Sequence, residues 1–158
     1  ELGSKAGAAV FISGSQRRVV MSAQRAGTPP HGTLCWDYHV VLLRQREALW
    51  EIVDPDCTAP GAGTGLPVRD YARMSFPALS PDWAHCVPLF RMVEAAKFVS
   101  TFASDRRHMR ADDGSWLEPP PPWPCIGTGH NLECLQTMSA GQGDDTLTLN
   151  ELLRRYSD

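Results

Sequence analysis

The sequence predicts an α+β fold around a central, largely antiparallel sheet, and three observations predict it. Strand-like apolar runs come in consecutive pairs instead of alternating strictly with helices. The best patterned of them, Cys35 to Leu43 and Leu49 to Val53, flank the short polar link Arg44-Gln-Arg-Glu47 as the arms of a hairpin do. Helix signals are confined to short stretches near 67–74, 95–102 and the C-terminal end. At 158 residues the chain fits one domain, 1–158.

The elements follow in order. Val10-Phe-Ile-Ser13, closed by Gly14, and Arg18-Val-Val-Met21 predict a first hairpin. Gly27-Thr-Pro-Pro-His-Gly-Thr33 is a loop by composition. The nearly continuous apolar run Cys35 to Leu43 predicts one central strand buried on both faces, and Pro55 stops the strand after it. Residues 55–67, rich in Pro, Gly and Thr, are a loop, and Val68, Tyr71 and Met74 give 67–74 helical spacing. Val87 to Val93 reads as a strand. Apolar residues at 95, 98, 99 and 102 then mark an amphipathic helix. Residues 104–116 are polar, and Pro119 to Pro122 must be extended, with Trp116, Trp123 and Ile126 expected to pack against the core. In the tail, 146–156, Thr148 and Glu151 have the spacing of a capping box, and Arg154 and Arg155 suit a helix C-terminus.

Composition excludes several classes. A net charge of −3 with mixed signs leaves no basic surface for nucleic acid. No apolar run reaches the roughly 18 residues of a membrane span, and the start lacks the n- and h-regions of a signal peptide. Five cysteines, Cys35, Cys57, Cys86, Cys125 and Cys134, are odd in number and form no C-x-x-C. Neither a disulfide framework nor a zinc ribbon fits, so reduced thiols in the cytoplasm, with the nucleus as a second compartment, are expected. Neither cofactor nor metal is expected.

Reactive side chains concentrate at Trp36-Asp-Tyr-His39 and Asp54-Pro-Asp56. A hairpin can set His39 and Asp54 on adjacent strands, about 5 Å apart between backbones. A carboxylate on one ring nitrogen fixes the imidazole tautomer and frees the other nitrogen as a general base. The same pair also reads as a buried link between strands. No nucleophile follows from the pattern: on one strand Cys35 and His39 lie about 13 Å apart. Asp105, Arg106, Arg107 and His108 form either a ligand-facing loop or a solvated helix end, and His31, His85 and His130 have no partner by position.

Trp36-Asp-Tyr-His-Val-Val-Leu-Leu43, Phe102-Ala-Ser-Asp-Arg-Arg-His-Met109 and Glu118-Pro-Pro-Pro-Pro-Trp-Pro-Cys-Ile126 resemble, in order and spacing, blocks of the protein N-terminal glutamine amidohydrolases. Val10-Phe-Ile-Ser13 and Leu147 to Leu153 are similar to further family segments, so the likeness runs from about residue 9 to the end. The resemblance implies a monomeric papain- or transglutaminase-like cysteine hydrolase fold with a Cys–His–Asp triad and no cofactor. Its reaction converts N-terminal Gln of proteins to Glu, releasing ammonia, in the N-degron pathway. On this resemblance His39 is the general base and acid and Asp54 orients it, with Asp56 the nearest rival. The link between His39 and Asp54 is one residue shorter than the family pattern. The family's nucleophilic Cys lies in a helical segment before the strand matching Val10–Ser13. Nine residues precede that strand here and none is Cys, so this chain is expected to lack the N-terminal helical part and not to turn over. The competing expectations are a non-catalytic binder, of N-terminal Gln or through Pro119–Pro122, and a non-functional fragment of the same fold.

Overall fold

Val10, Phe11, Ile12 and Ser13 are almost completely sealed from solvent, which is the environment of a strand with neighbours on both edges. β1 (Gly7–Ser13) is that strand in the computed structural model, which describes residues 7–138 and 146–157. On one side it pairs with β4 (His39–Arg46), which pairs in turn with β5 (Leu49–Val53) and then β6 (Leu66–Pro67). On the other side lie β7 (Leu89–Glu94) and β8 (Thr146–Thr148). The order is β6-β5-β4-β1-β7-β8 and every adjacent pair is antiparallel. The α+β expectation with a central antiparallel sheet therefore holds.

Alternation along β1 divides the core. Val10 and Ile12 join Val41, Leu43, Ile52 and Phe90 on one face, under Val68 and Tyr71 of α1 (Val68–Ser75) and Leu152 of α4 (Leu149–Tyr156). Phe11 and Val93 point the other way, toward Phe98 of α2 (Ala95–Thr101) and Leu132 of α3 (Leu132–Gln136).

Two strand expectations are corrected. Residues 10–13 and 18–21 do not form a hairpin. Both edges of β1 are already occupied, so β2 (Val19–Met21) leaves the main sheet and pairs with β3 (Leu34–Trp36) in a separate two-stranded sheet. The turn between β1 and β2 is tight: Arg17 N–H donates to Gly14 O at 3.0 Å, and a Cβ at Gly14 would stand 2.1 Å from the Arg18 carbonyl oxygen. Nor is Cys35 to Leu43 one strand. It breaks at Asp37-Tyr38, where Ser13 Oγ donates to the Asp37 carbonyl and the Asp37 carboxylate accepts from Tyr38 N–H at 3.1 Å. Cys35 and His39 therefore stand on different strands, β3 and β4.

The β4–β5 hairpin is present but tighter than its polar link suggested. Arg44 and Arg46 stay in the ladder because both reach the buried carboxylate of Glu51, at 3.3 and 2.8 Å, leaving Glu47 and Ala48 as the turn. Helices form at 68–75 and 95–101 as their patterns predict, though α2 buries no residue: Val99 is 81% exposed and Phe98, packed against the sheet, is partly buried. In the tail, β8 takes the first three residues, and the Thr148–Glu151 capping box opens α4 as its spacing implied.

The aromatic flanks of the proline run do not enter the core: Trp116, Trp123 and Ile126 are exposed, Trp123 to 62%. A run of prolines presents carbonyls and no N–H groups, so it cannot extend a ladder. Arg106 supplies the missing donors, its guanidinium bonding the carbonyls of Pro121, Trp123 and Pro124. No helix among the described residues is long and apolar enough to cross a membrane.

Candidate active site

His39 opens β4 and Asp54 follows the last residue of β5, so the Leu42–Val53 pairing brings both to the same end of the hairpin. His39 Nε2 lies 3.0 Å from Asp54 Oδ1, an ion-pair distance without ideal hydrogen-bond alignment. Both side chains are buried, His39 to 7% exposure and Asp54 to zero. Trp36 stacks on the imidazole with ring centroids 5.4 Å apart and planes 16° apart. His39 Nδ1 makes no hydrogen bond among the described residues and is the nitrogen left for a reacting atom.

A buried carboxylate must be fully answered to remain charged, and Asp54 is. Oδ1 accepts from the Asp56 N–H at 3.0 Å and Oδ2 accepts from the Tyr71 hydroxyl at 2.8 Å. Burial acts to raise the Asp54 pKa, but His39, the Tyr71 hydroxyl and the Asp56 amide outweigh it and hold the carboxyl below its usual range. Tyr71 responds in the opposite sense: burial first, then the Asp54 charge, pushes its phenol well above the ordinary tyrosine value, so it stays a proton donor.

Asp56, the rival of Asp54, is exposed; its backbone amide bonds Asp54 Oδ1, and its carboxylate makes no hydrogen bond to the pair among the described residues. His39, Asp54 and Asp56 each offer an atom within 4.8 Å of the other two, the one grouping among the described residues with the composition of a small cation site. Asp54 already spends both oxygens on protein donors.

His39 lines a cavity of about 570 Å³ with Trp36, Asp37, Tyr38, Asp56, His108, Met109 and Glu118 among its walls. Of the loop after α2, only His108 and Met109 reach this cavity, while Arg106 lines a neighbouring one beside the proline segment. His108 is kept below the ordinary histidine pKa by burial and then by the neighbouring His130, a trend Asp37 and Asp105 oppose. His130, 3% exposed, pairs with Asp105 at 3.2 Å, and Asp105 is shared with Arg107 through contacts at 2.6 and 3.0 Å. His31 and His85 stand outside this wall.

None of the cysteines among the described residues lines the cavity. Cys35 faces another one, with Val20, Leu79 and Trp83. Cys57 is buried behind Asp54, where burial and then the Asp54 charge raise its thiol pKa, the reverse of what a nucleophile requires. Sequence reasoning paired His39 with Asp54 but missed the part Tyr71 plays and the bonding of Arg106 to the proline segment. The four-proline run held the signal for Arg106, because its carbonyls need a donor from elsewhere.

A family model described as N-terminal glutamine amidase matches residues 2–155. A Drosophila virilis protein named protein N-terminal glutamine amidohydrolase is 34% identical over 159 residues, covering 94% of this chain and 73% of the relative. Its Drosophila ananassae counterpart is 35% identical over 158 residues with the same coverage. The Arabidopsis thaliana protein of that name is 36% identical over 143 residues, 88% of this chain and 63% of its own length.

Proposed function

This chain belongs to the N-terminal glutamine amidase family, and we propose that it hydrolyses the side-chain amide of an N-terminal glutamine to glutamate and ammonia. The observation that carries the reading is the buried His39–Asp54 pair with Nδ1 unengaged at a cavity. In this reading Asp54 holds the imidazole orientation and stabilises its charged form. A thiolate attacks the amide carbon, and His39 gives its proton to the departing ammonia, leaving a thioester. His39 then takes a proton from water, which attacks the thioester, releases glutamate and restores the thiol.

The thiol is the part that the described residues do not bring to His39. On the family resemblance it belongs to a helical segment ahead of β1, and the arrangement is then of the papain or transglutaminase type. The same resemblance supports a monomer that works in the cytoplasm or nucleus on proteins awaiting degradation.

The test is mass-spectrometric deamidation of a Gln-starting peptide by this chain and by a version extended with the segment that precedes β1 in a relative. Conversion by the extended protein alone, abolished by His39→Ala, is the expected result. Conversion by neither overturns the amidase reading. Conversion by the chain as it stands overturns the placement of the thiol.

A further inference from the structure

An enzyme confined to N-terminal glutamine must read a charged α-ammonium at a fixed distance from the amide it attacks. In an extended side chain four bonds of about 1.5 Å put that nitrogen about 5 Å from the amide carbon. The cavity beside His39 has groups suited to it. Asp37, Asp56 and Glu118 all line it and all are solvent-exposed.

These carboxylates have no cationic partner among the described residues. Asp37 accepts only the neighbouring Tyr38 N–H, and Asp56 engages Asp54 through its backbone. The nearby cations are committed elsewhere: Arg106 to the proline-segment carbonyls, Arg107 to Asp105, Arg25 to the Pro55 carbonyl. The cavity's two imidazoles do not balance the charge. His39 is held by Asp54, and burial keeps His108 toward its neutral form. An independent observation ties this negative field to a ligand. His39, only 7% exposed, lines the same cavity with an unengaged Nδ1, and Asp56 brings a carboxylate oxygen within 4.8 Å of an imidazole nitrogen.

We propose that Asp37, Asp56 and Glu118 form the subsite for the substrate's α-ammonium, with Asp56 the closest to the reacting amide. The proposal rests on the N-terminal glutamine reading and adds its specificity determinant. A free ammonium neutralises charges that the protein leaves open. An acetylated terminus places an uncharged amide there, and an internal glutamine brings a further stretch of chain, so both are rejected.

The experiment measures binding to this chain by calorimetry. The ligands are a Gln-starting peptide, its N-acetylated form and an Ala-starting peptide with a free amine. The free-amine Gln peptide is expected to bind at least about tenfold more tightly than the acetylated one, a preference that shrinks as salt is raised. The Asp56→Asn/Glu118→Gln double variant is expected to remove most of that preference and Asp37→Asn part of it, with circular dichroism melts checking the fold. The Asp37→Asn variant and the salt series keep the test decisive if the double variant fails to fold. Equal binding of free and acetylated Gln peptides, a preference that survives loss of all three carboxylates, or no binding of either peptide overturns the subsite. The underlying reading fails separately: if the Ala-starting peptide matches the Gln-starting one while acetylation still abolishes binding, the ammonium subsite stands and glutamine selectivity does not.

Discussion

The Tyr71 hydroxyl donates a 2.8 Å hydrogen bond to Asp54 Oδ2, so the carboxylate facing His39 is anchored from α1, an element outside the hairpin that carries the pair. Tyr71→Phe keeps the ring packed and leaves that oxygen without its donor. The expected cost is about 1–3 kcal/mol, the penalty for a buried acceptor left unsatisfied. Urea unfolding checks it: the midpoint falls with an unchanged m-value. An unchanged midpoint would mean that water or another donor replaces the phenol.

The depressed Asp54 pKa links the pair to pH. A carboxyl whose folded pKa lies below its unfolded value, about 3.9, contributes stability that is fully present above that unfolded value. The contribution is lost as pH falls through the folded value. Asp105, Asp113 and Glu151 are also depressed and act in the same direction, so the informative quantity is a difference. The stability gap between the parent and Asp54→Asn should close as the solution is acidified below about pH 4. Parallel pH profiles would show that Asp54 does not carry the linkage.

How far the sequence revealed this arrangement depends on the range of the forces involved. The Thr148–Glu151 capping box is set by residues three apart, and its spacing alone located the start of α4. The His39–Asp54 pairing was legible for a similar reason, because a short hairpin fixes which ends meet. The β1–β2 hairpin was misread because local pattern does not say which strand edges are free, and both edges of β1 are taken by β4 and β7. The break at Asp37-Tyr38 depends on Ser13, 24 residues earlier, and Tyr71 reaches Asp54 across 17 residues of loop and helix. Neither contact leaves a periodic mark.

Arg106 adopts a left-handed backbone, φ 63°, while it bonds three carbonyls of the proline segment. Arg106→Ala keeps the strained backbone and removes the donors. Limited proteolysis is expected to cut within 117–126 in this variant and not in the parent, and amide exchange at Ile126 N–H, bonded to the Ser104 carbonyl at 3.2 Å, should quicken. Arg106→Lys should resemble Ala more than Arg, because an ammonium lacks the planar fork that spans several acceptors. Full protection in Arg106→Ala would mean that packing against the neighbouring rings holds the proline segment unaided.

The β4–β5 turn offers a stabilising change that isolates backbone strain from chemistry. Glu47 occupies its first position with φ 56°, where a side chain other than glycine's costs roughly 1–2 kcal/mol. Glu47 takes part in no ion pair among the described residues, and Glu51 alone answers Arg44 and Arg46. Glu47→Gly therefore removes strain without removing a contact, while adding backbone freedom to the unfolded chain that costs several tenths of a kcal/mol, about 0.5–1. The net expectation is a gain of up to about 1.5 kcal/mol, read as a higher urea midpoint. Glu47→Val, branched at Cβ, should lower the midpoint because the left-handed region is least tolerant of such side chains. If glycine destabilises instead, the unfolded-state entropy exceeds the strain, and the turn geometry is less costly than its dihedral implies.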